Sequence, residues 1–242
     1  MTPTFSLLHA TYKRPAKAIE AMKSWFEKSS GTHAIEYIFA ANSDDSTLPE
    51  LRQGLLASDI RTLDGVSPGH LIVDAFKGSA AAWDRAAACS RGSIIIQAQD
   101  DVEPPSNWDE RLLDRVAQRV SGDGDCMAQP FFIQVSDGYR TDNLMCTAIM
   151  SRAYYQMKGE FLHAGYISVY SDDDFTIRAS SDLAAGRVQR VDATDIIFRH
   201  RHHYHDKTVP MDETYARENS IEAYSKGREL YLYRNSHLIS NK

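Results

Sequence analysis

Three clusters of side chains in this 242-residue chain have the types and spacing to do chemistry. The first is Gln99-Asp100-Asp101, directly after the apolar run Ser93-Ile-Ile-Ile-Gln-Ala98. Two carboxylates at a strand end can hold a hard divalent cation through oxygen. The plain alternative is a turn carrying two solvated acids. Asp101 is the better ligand, and Asp100 can instead touch a ribose or a group behind the ligand. The second cluster is Arg199-His-Arg-His-His-Tyr-His205, which packs four of the chain's nine histidines into six residues. On a strand, His200 and His202 share a face and His203 takes the other. Imidazole nitrogen binds Mn²⁺ or Zn²⁺ readily and Mg²⁺ poorly, whereas an exposed polar strand end needs no ion. The third is Ser171-Asp-Asp-Asp174. Acids in a first helical turn are favoured by the helix dipole alone. A carboxylate there can also serve as a general base, because clustered acids raise one another's pKa. Spacing does not say which of the three acids that would be.

These clusters need elements to position them. Phe5 to His9 reads as a buried strand, and Thr11-Tyr-Lys-Arg-Pro15 as the loop after it. Ala16 to Lys28 has helical spacing, with Ile19, Met22, Trp25 and Phe26 on one face. Glu36 to Ala41 is a second strand, ending in the polar turn Asn42-Ser-Asp-Asp-Ser46. Leu48 to Ala57 suits a helix and Ile60 to Leu63 a third strand. Ser79 to Cys89 is an alanine-rich helix with Gly92 as its expected terminator. Ser93 to Ala98 is the clearest strand, and Trp108 to Val120 a helix.

This β-α alternation predicts a parallel, helix-covered sheet. Ligands of such sheets sit beyond the carboxyl ends of the strands. That rule gathers Thr11, Tyr12 and Arg14, Asn42 and Asp45, and Asp100 with Asp101 into one crevice.

Farther along, Phe131 to Val135, Leu144 to Met150 and Asp195 to His202 read as strands. Ser151 to Met157 and Ser171 to Ala179 read as helices, and Glu213 to Asn235 as a long polar helix or helix pair. Trp25, Trp83 and Trp108 are expected in the core rather than at a ligand. Repeats and linkers are absent, so one domain over residues 1–242 is the economical reading.

Composition removes several classes. A hydrophobic fraction of 43% with 25% charged residues is that of a globular chain, not a disordered one. The net charge of −6 argues against broad capture of polyanions, although Arg199 to Lys207 with Arg187 and Arg190 could line a local basic groove. No apolar run is long enough for a membrane span, and the N-terminus lacks the basic start of a signal peptide. Cys89, Cys126 and Cys146 are scattered and match neither a disulfide framework nor a zinc motif. These features predict a soluble, reduced, cytoplasmic protein. With no glycine-rich phosphate loop, phosphate contact falls to a metal ion and to basic side chains such as Lys207.

Taken in order, four segments resemble the GT-A glycosyltransferases of the large inverting family-2 type, over roughly residues 5 to 205. Phe5 to Pro15 resembles their opening strand and Thr-Tyr-x-Arg-Pro turn. Trp83-Asp-Arg-Ala-Ala-Ala88 with Gly92 resembles the helix before the metal strand. Ile94 to Pro105 with Trp108 resembles the Asp-x-Asp strand and its proline exit. Tyr170-Ser-Asp-Asp-Asp-Phe-Thr-Ile-Arg-Ala179 resembles the helix start that supplies the base.

The resemblance implies an α/β fold of the GT-A nucleotide-diphospho-sugar transferase type, with a mostly parallel central sheet flanked by helices. It implies a nucleotide-binding half (1–105), an acceptor and catalytic half (106–205) and a C-terminal helical segment (206–242). It further implies a nucleotide-sugar donor such as a UDP-sugar and a divalent cation, Mn²⁺ or Mg²⁺. Asp101 falls on the metal-binding acid, with His200 or His202 as a further ligand. Asp172 falls on the base, with Asp173 in reserve, and Asn42 falls near the acid that reads the nucleobase. Gln99, Asn42, Asp84 and Ser171 depart from the family pattern.

The expected activity is metal-dependent transfer of a sugar to an acceptor hydroxyl with inversion. The acceptor is open, a saccharide or a hydroxymethylated DNA base among the options, and so is the oligomeric state. The alternatives are a nucleotidyltransferase of similar fold and a non-catalytic nucleotide-sugar-binding module.

Overall fold

The computed structural model describes residues 4–58, 69–121 and 124–239. The first half runs β1 (Phe5–Thr11), α1 (Pro15–Glu27), β2 (Ile35–Asn42), α2 (Leu48–Ala57), β3 (Gly69–Asp74), α3 (Ser79–Cys89) and β4 (Ile94–Ala98). The expected strand at Ile60 to Leu63 lies outside the described residues. After β4 come a short β5 (Val102–Glu103), α4 (Trp108–Arg119), a 3-10 turn (Cys126–Ala128), β6 (Phe131–Ser136), β7 (Ile149–Ser151) and α5 (Arg152–Lys158). The chain continues through α6 (Ser171–Ala184), β8 (Gln189–Ile197), β9 (Arg199–His200), α7 (Glu213–Glu218) and α8 (Ile221–Ile239).

Seven strands form one sheet in the order β3-β2-β1-β4-β7-β6-β8. β1 to β4 are parallel; β7 runs antiparallel to both β4 and β6, and β8 parallel to β6. The central strands are almost wholly buried and mostly apolar because both faces are covered. Phe5 and Leu7 of β1 face a core shared with Trp25 of α1 and Trp108, Leu112 and Val116 of α4. Leu8 faces the opposite core, with Ala86 of α3, Tyr154 of α5 and Phe175 of α6. Pro15 opens α1 where its missing N–H is not needed, and Ala18, Met22 and Trp25 bury one stripe of that helix.

Several sequence expectations require correction. The strand at Leu144 to Met150 shrinks to Ile149–Ser151. Just before it, backbone amides bond side chains instead of a ladder: Met145 N–H donates to Thr176 Oγ1 and Ala148 N–H to Gln97 Oε1. The strand at Asp195 to His202 is two: β8 starts six residues earlier, at Gln189, and β9 ends at His200. β8 alternates buried Val191 and Ala193 with exposed Asp192 and Thr194, the pattern of a strand with one wet face. Gly92 does not terminate α3, which ends at Cys89. It permits close backbone approach, since a Cβ there would lie 2.4 Å from Ser6 Oγ and 2.7 Å from Phe5 C. The polar C-terminal stretch is a helix pair, α7 and α8. Trp25 and Trp108 are core residues, and Trp108 Nε1 donates to Trp25 O at 2.9 Å.

Candidate active site

β1 and β4 end side by side because they pair in parallel, which sets the loop after Thr11 against Asp100 and Asp101. Beyond these ends lies a crevice of about 770 Å³, lined in part by Thr11, Tyr12, Arg14, Asn42, Asp100, Asp101, Asp172, Asp173, His200, His202 and Lys207. Of the site residues expected from sequence, Asp45 alone is missing from this wall.

Asp101 and His200 meet through β5 and β9. These strands pair Val102 with His200, and Arg201 N–H donates to Asp101 O at 2.7 Å. The register leaves His200 Nε2 3.4 Å from Asp101 Oδ2. Burial opposes the Asp101 charge, but the His200 imidazole and Arg14 outweigh it and hold the carboxyl below its ordinary range. His200 moves reciprocally: burial opposes its imidazolium, and Asp101 raises it. One ionised carboxylate beside one imidazole is a donor set that fits Mn²⁺.

His202 is not on a strand and stands apart from that pair. Its ring lies 5.0 Å from the His200 ring and is hydrogen-bonded to the Tyr215 hydroxyl. Burial, with His200 nearby, lowers its pKa to about 4, so it is neutral at pH 7. His203 also lines the crevice, with its Nδ1 hydrogen-bonded to the Val209 carbonyl.

Asp100 is held from behind. His9 Nε2 lies 2.7 Å from its Oδ1, and Arg14 Nη1 donates to its Oδ2 at 3.4 Å. Asn42 reaches the wall, but its amide is tied to the backbone of Phe76, donating to O at 2.7 Å and accepting from N–H at 3.3 Å. Asp45 is buried and accepts from the N–H groups of Lys13 and Thr47. It braces Lys13 in the left-handed region, at φ 55°. Its part is to hold the loop carrying Tyr12 and Arg14.

The three acids of α6 separate by environment. Asp174 faces the core, where Arg234, Arg178, Asn235 and Tyr166 all donate to it. It is structural. Asp172 and Asp173 line the crevice. Burial raises the pKa of Asp172, and burial together with Asp172 raises that of Asp173. Tyr170, at φ 70°, turns the chain into the helix and sets that first turn at the crevice.

Sequence reading did not find several wall residues. Arg140 faces Asp172, and Cys146 comes from the stretch before β7. Tyr215, Arg217 and Glu218 of α7 also line the crevice. α7 docks on the loop after β1: Arg14 pairs with Asp212, Lys13 with Glu213, and the Arg217 guanidinium lies 4.2 Å from the Tyr12 ring centre. No local spacing signals contacts between segments so far apart in the chain. Lys207 lines the crevice with its Nζ 5.6 Å from the Tyr204 ring centre. Arg187 and Arg190 do not line it and pair with Asp182 and Asp192, so the expected basic groove is not assembled there. Among the described residues no helix is long and apolar enough to cross a membrane.

No family model matches the chain, and no curated protein does. Solved structures do. The mannosyltransferase PcManGT from Pyrobaculum calidifontis, in complex with GDP-Man and Mn²⁺, superposes with a TM-score of 0.57 at 11% identity, over 83% of this chain and 57% of that one. S. aureus TarS 1–349 in complex with UDP-GlcNAc gives 0.52 at 14% identity, over 82% and 60%. A mycobacterial protein gives 0.53 at 12% identity, over 97% and 74%. The chain thus spans less than two thirds of the length of the first two. At this identity the likeness shows the fold, a GT-A type α/β fold with a mostly parallel central sheet.

Proposed function

We propose that this chain is a metal-dependent glycosyltransferase that moves a sugar from a nucleotide-sugar donor to an acceptor hydroxyl with inversion, residues 1–242 forming one catalytic domain. The observation that carries the reading is the convergence, in one crevice, of the Asp101–His200 pair with Asp172 and Asp173, two acids of raised pKa. That PcManGT and TarS bind GDP-Man with Mn²⁺ and UDP-GlcNAc on the same fold supports it.

Asp101 and His200 would hold the divalent cation, with His202 as a reserve ligand; when bound, such an ion neutralises charge on a departing diphosphate. Tyr12, Arg14 and Asp100 form the wall beside it for the nucleotide, and Lys207 is a cation of that wall that can meet a phosphate oxygen. Arg14 also anchors α7 through Asp212, so nucleotide contact and closure of that wall share one side chain. Asp172 takes the proton of the acceptor hydroxyl as its oxygen forms the bond to the anomeric carbon and the diphosphate leaves. Its raised pKa makes it a stronger base than an ordinary carboxylate. Asp173 holds charge beside it and is the reserve base.

The test is product analysis. Purified protein is incubated with a panel of nucleotide sugars, Mn²⁺ and acceptor pools that include saccharides and hydroxymethylated DNA. Release of free nucleoside diphosphate is expected. Release of pyrophosphate would instead make the chain a nucleotidyltransferase, and binding without turnover would make it a sugar-nucleotide-binding module.

A further inference from the structure

His200 has a second set of neighbours besides Asp101. Ligand atoms of Asp137, Cys146 and His200 all lie within 4.8 Å of one another. The three residues come from the end of β6, the segment before β7, and β9, so the fold rather than a sequence motif gathers them. Asp101 is outside this group. His200 therefore neighbours two acidic half-sites, one made of oxygen alone and one containing sulfur.

We propose that Asp137, Cys146 and His200 form a second cation site, selective for a thiophilic divalent ion such as zinc, which uses the same histidine as the Asp101 pair.

The backbone holds Asp137 and His200 in place. His200 N–H donates to Asp137 O at 3.1 Å, and Phe198 N–H to Ser136 O at 2.8 Å, so β9 is stitched to the turn that carries Asp137. Asp137 Oδ1 accepts from the N–H groups of Tyr139 and Arg140 at 2.9 and 2.8 Å. This leaves Oδ2 directed at Cys146, whose Sγ lies 3.7 Å away. A carboxylate with one oxygen anchored by amides and the other presented is the arrangement that orients a metal ligand.

The chemistry selects the ion. Zinc binds Cys sulfur, His nitrogen and carboxylate oxygen in a tetrahedron, with three protein ligands leaving the fourth place for water. With bonds of about 2.0–2.3 Å, its ligand atoms stand roughly 3.3–3.8 Å apart, so side-chain rotation of about an ångström closes the set. Binding replaces the S–H proton, which leaves to solvent, and the thiolate and imidazole favour zinc over Mg²⁺. Burial and the carboxylates of Asp172 and Asp137 raise the Cys146 thiol, so it is protonated when no cation is present. The local charge also favours a dication, with Asp172 near Cys146 and Arg140 already paired to Asp142. A cation held here draws His200 away from Asp101, so zinc and manganese exclude each other.

Cobalt(II) is the spectroscopic probe for zinc, and its titration into the purified full chain needs no sugar nucleotide. The result is therefore independent of whether the crevice transfers sugar. An intense near-ultraviolet thiolate-to-cobalt band is expected, abolished by added zinc and not by magnesium. Cys146→Ser should lose the band, and Asp137→Asn should weaken cobalt binding. Asp101→Asn and the double variant Cys89→Ser/Cys126→Ser should keep it. No band in the unaltered protein, or a band that survives Cys146→Ser, overturns the site. Circular dichroism of each variant separates loss of the ligand from loss of the fold.

Discussion

His9 Nε2 lies 2.7 Å from Asp100 Oδ1, and the His9 ring is fully buried, its Nδ1 2.6 Å from the Tyr37 hydroxyl. A chain of three side chains thus runs from the core of the sheet to the crevice and fixes the carboxylate that faces it. His9→Phe keeps the ring volume but leaves Tyr37 and Asp100 without this partner. Unmet buried polar groups cost about 1–3 kcal/mol each. We expect a loss of roughly 2 kcal/mol in chemical denaturation, together with weaker nucleotide binding. Unchanged stability would mean the chain is incidental.

Asp172→Asn should lower turnover by about 10²–10⁴-fold while leaving the dissociation constant for the nucleotide nearly unchanged. Asp174→Asn should act differently, loosening its bonds with Arg234 and Arg178 and lowering thermal stability instead. Equal turnover in Asp172→Asn and the unaltered chain would reject the base assignment.

Because burial raises the Asp172 and Asp173 carboxyls, the base is lost as pH falls through a value above the ordinary carboxylate range. The acid limb of the rate profile should therefore lie above the ordinary carboxylate range, and Asp173→Asn should move it down by relieving like-charge repulsion. A limb that does not move in that variant would show that the two acids titrate independently.

Asp101→Asn removes the carboxylate that lies 3.4 Å from His200 Nε2. Calorimetric titration with Mn²⁺ and UDP should show both ligands weakened together, since each is expected to stabilise the other. Nucleotide binding that stays tight and manganese-dependent would place the cation elsewhere.

Burial raises the Glu218 carboxyl to about 7, against the pull of Arg217 and Arg14 and with help from Asp100. Its folded pKa lies above its ordinary value of 4.5. The stability it allows is thus full below that value and lost as pH rises through about 7. The loss is on the order of 3 kcal/mol. Melting at pH 5 and pH 8 should show Glu218→Gln losing less stability between the two than the unaltered chain; equal losses would remove Glu218 as the cause.

Gly92→Ala should destabilise by about 1–3 kcal/mol through overpacking, because the new Cβ meets backbone atoms of Phe5 and Ser6 at 2.7 and 2.6 Å. Denaturant midpoints measure this directly, and an unshifted midpoint would show that β1 yields.

The sequence by itself determined the alternation of β1, β2 and β4 with α1 to α3, though not β3 at Gly69–Asp74, and the strand that delivers Asp100 and Asp101. It also determined the helix that opens at Ser171. These follow from the period of apolar residues and from turn chemistry, both of which act within a few residues. Asp101, His200, Asp172 and Asp173 were legible as candidates for the same reason. Only the tertiary structure decided which of them meet. It set His200 rather than His202 beside Asp101 and assigned Asp174 to the core. It turned Asn42 and Asp45 into braces, and it brought α7, Arg140 and Cys146 to the crevice. Partner choice depends on strand register and on packing between segments remote in the chain. A burial environment and a charge partner exist only once those segments have met.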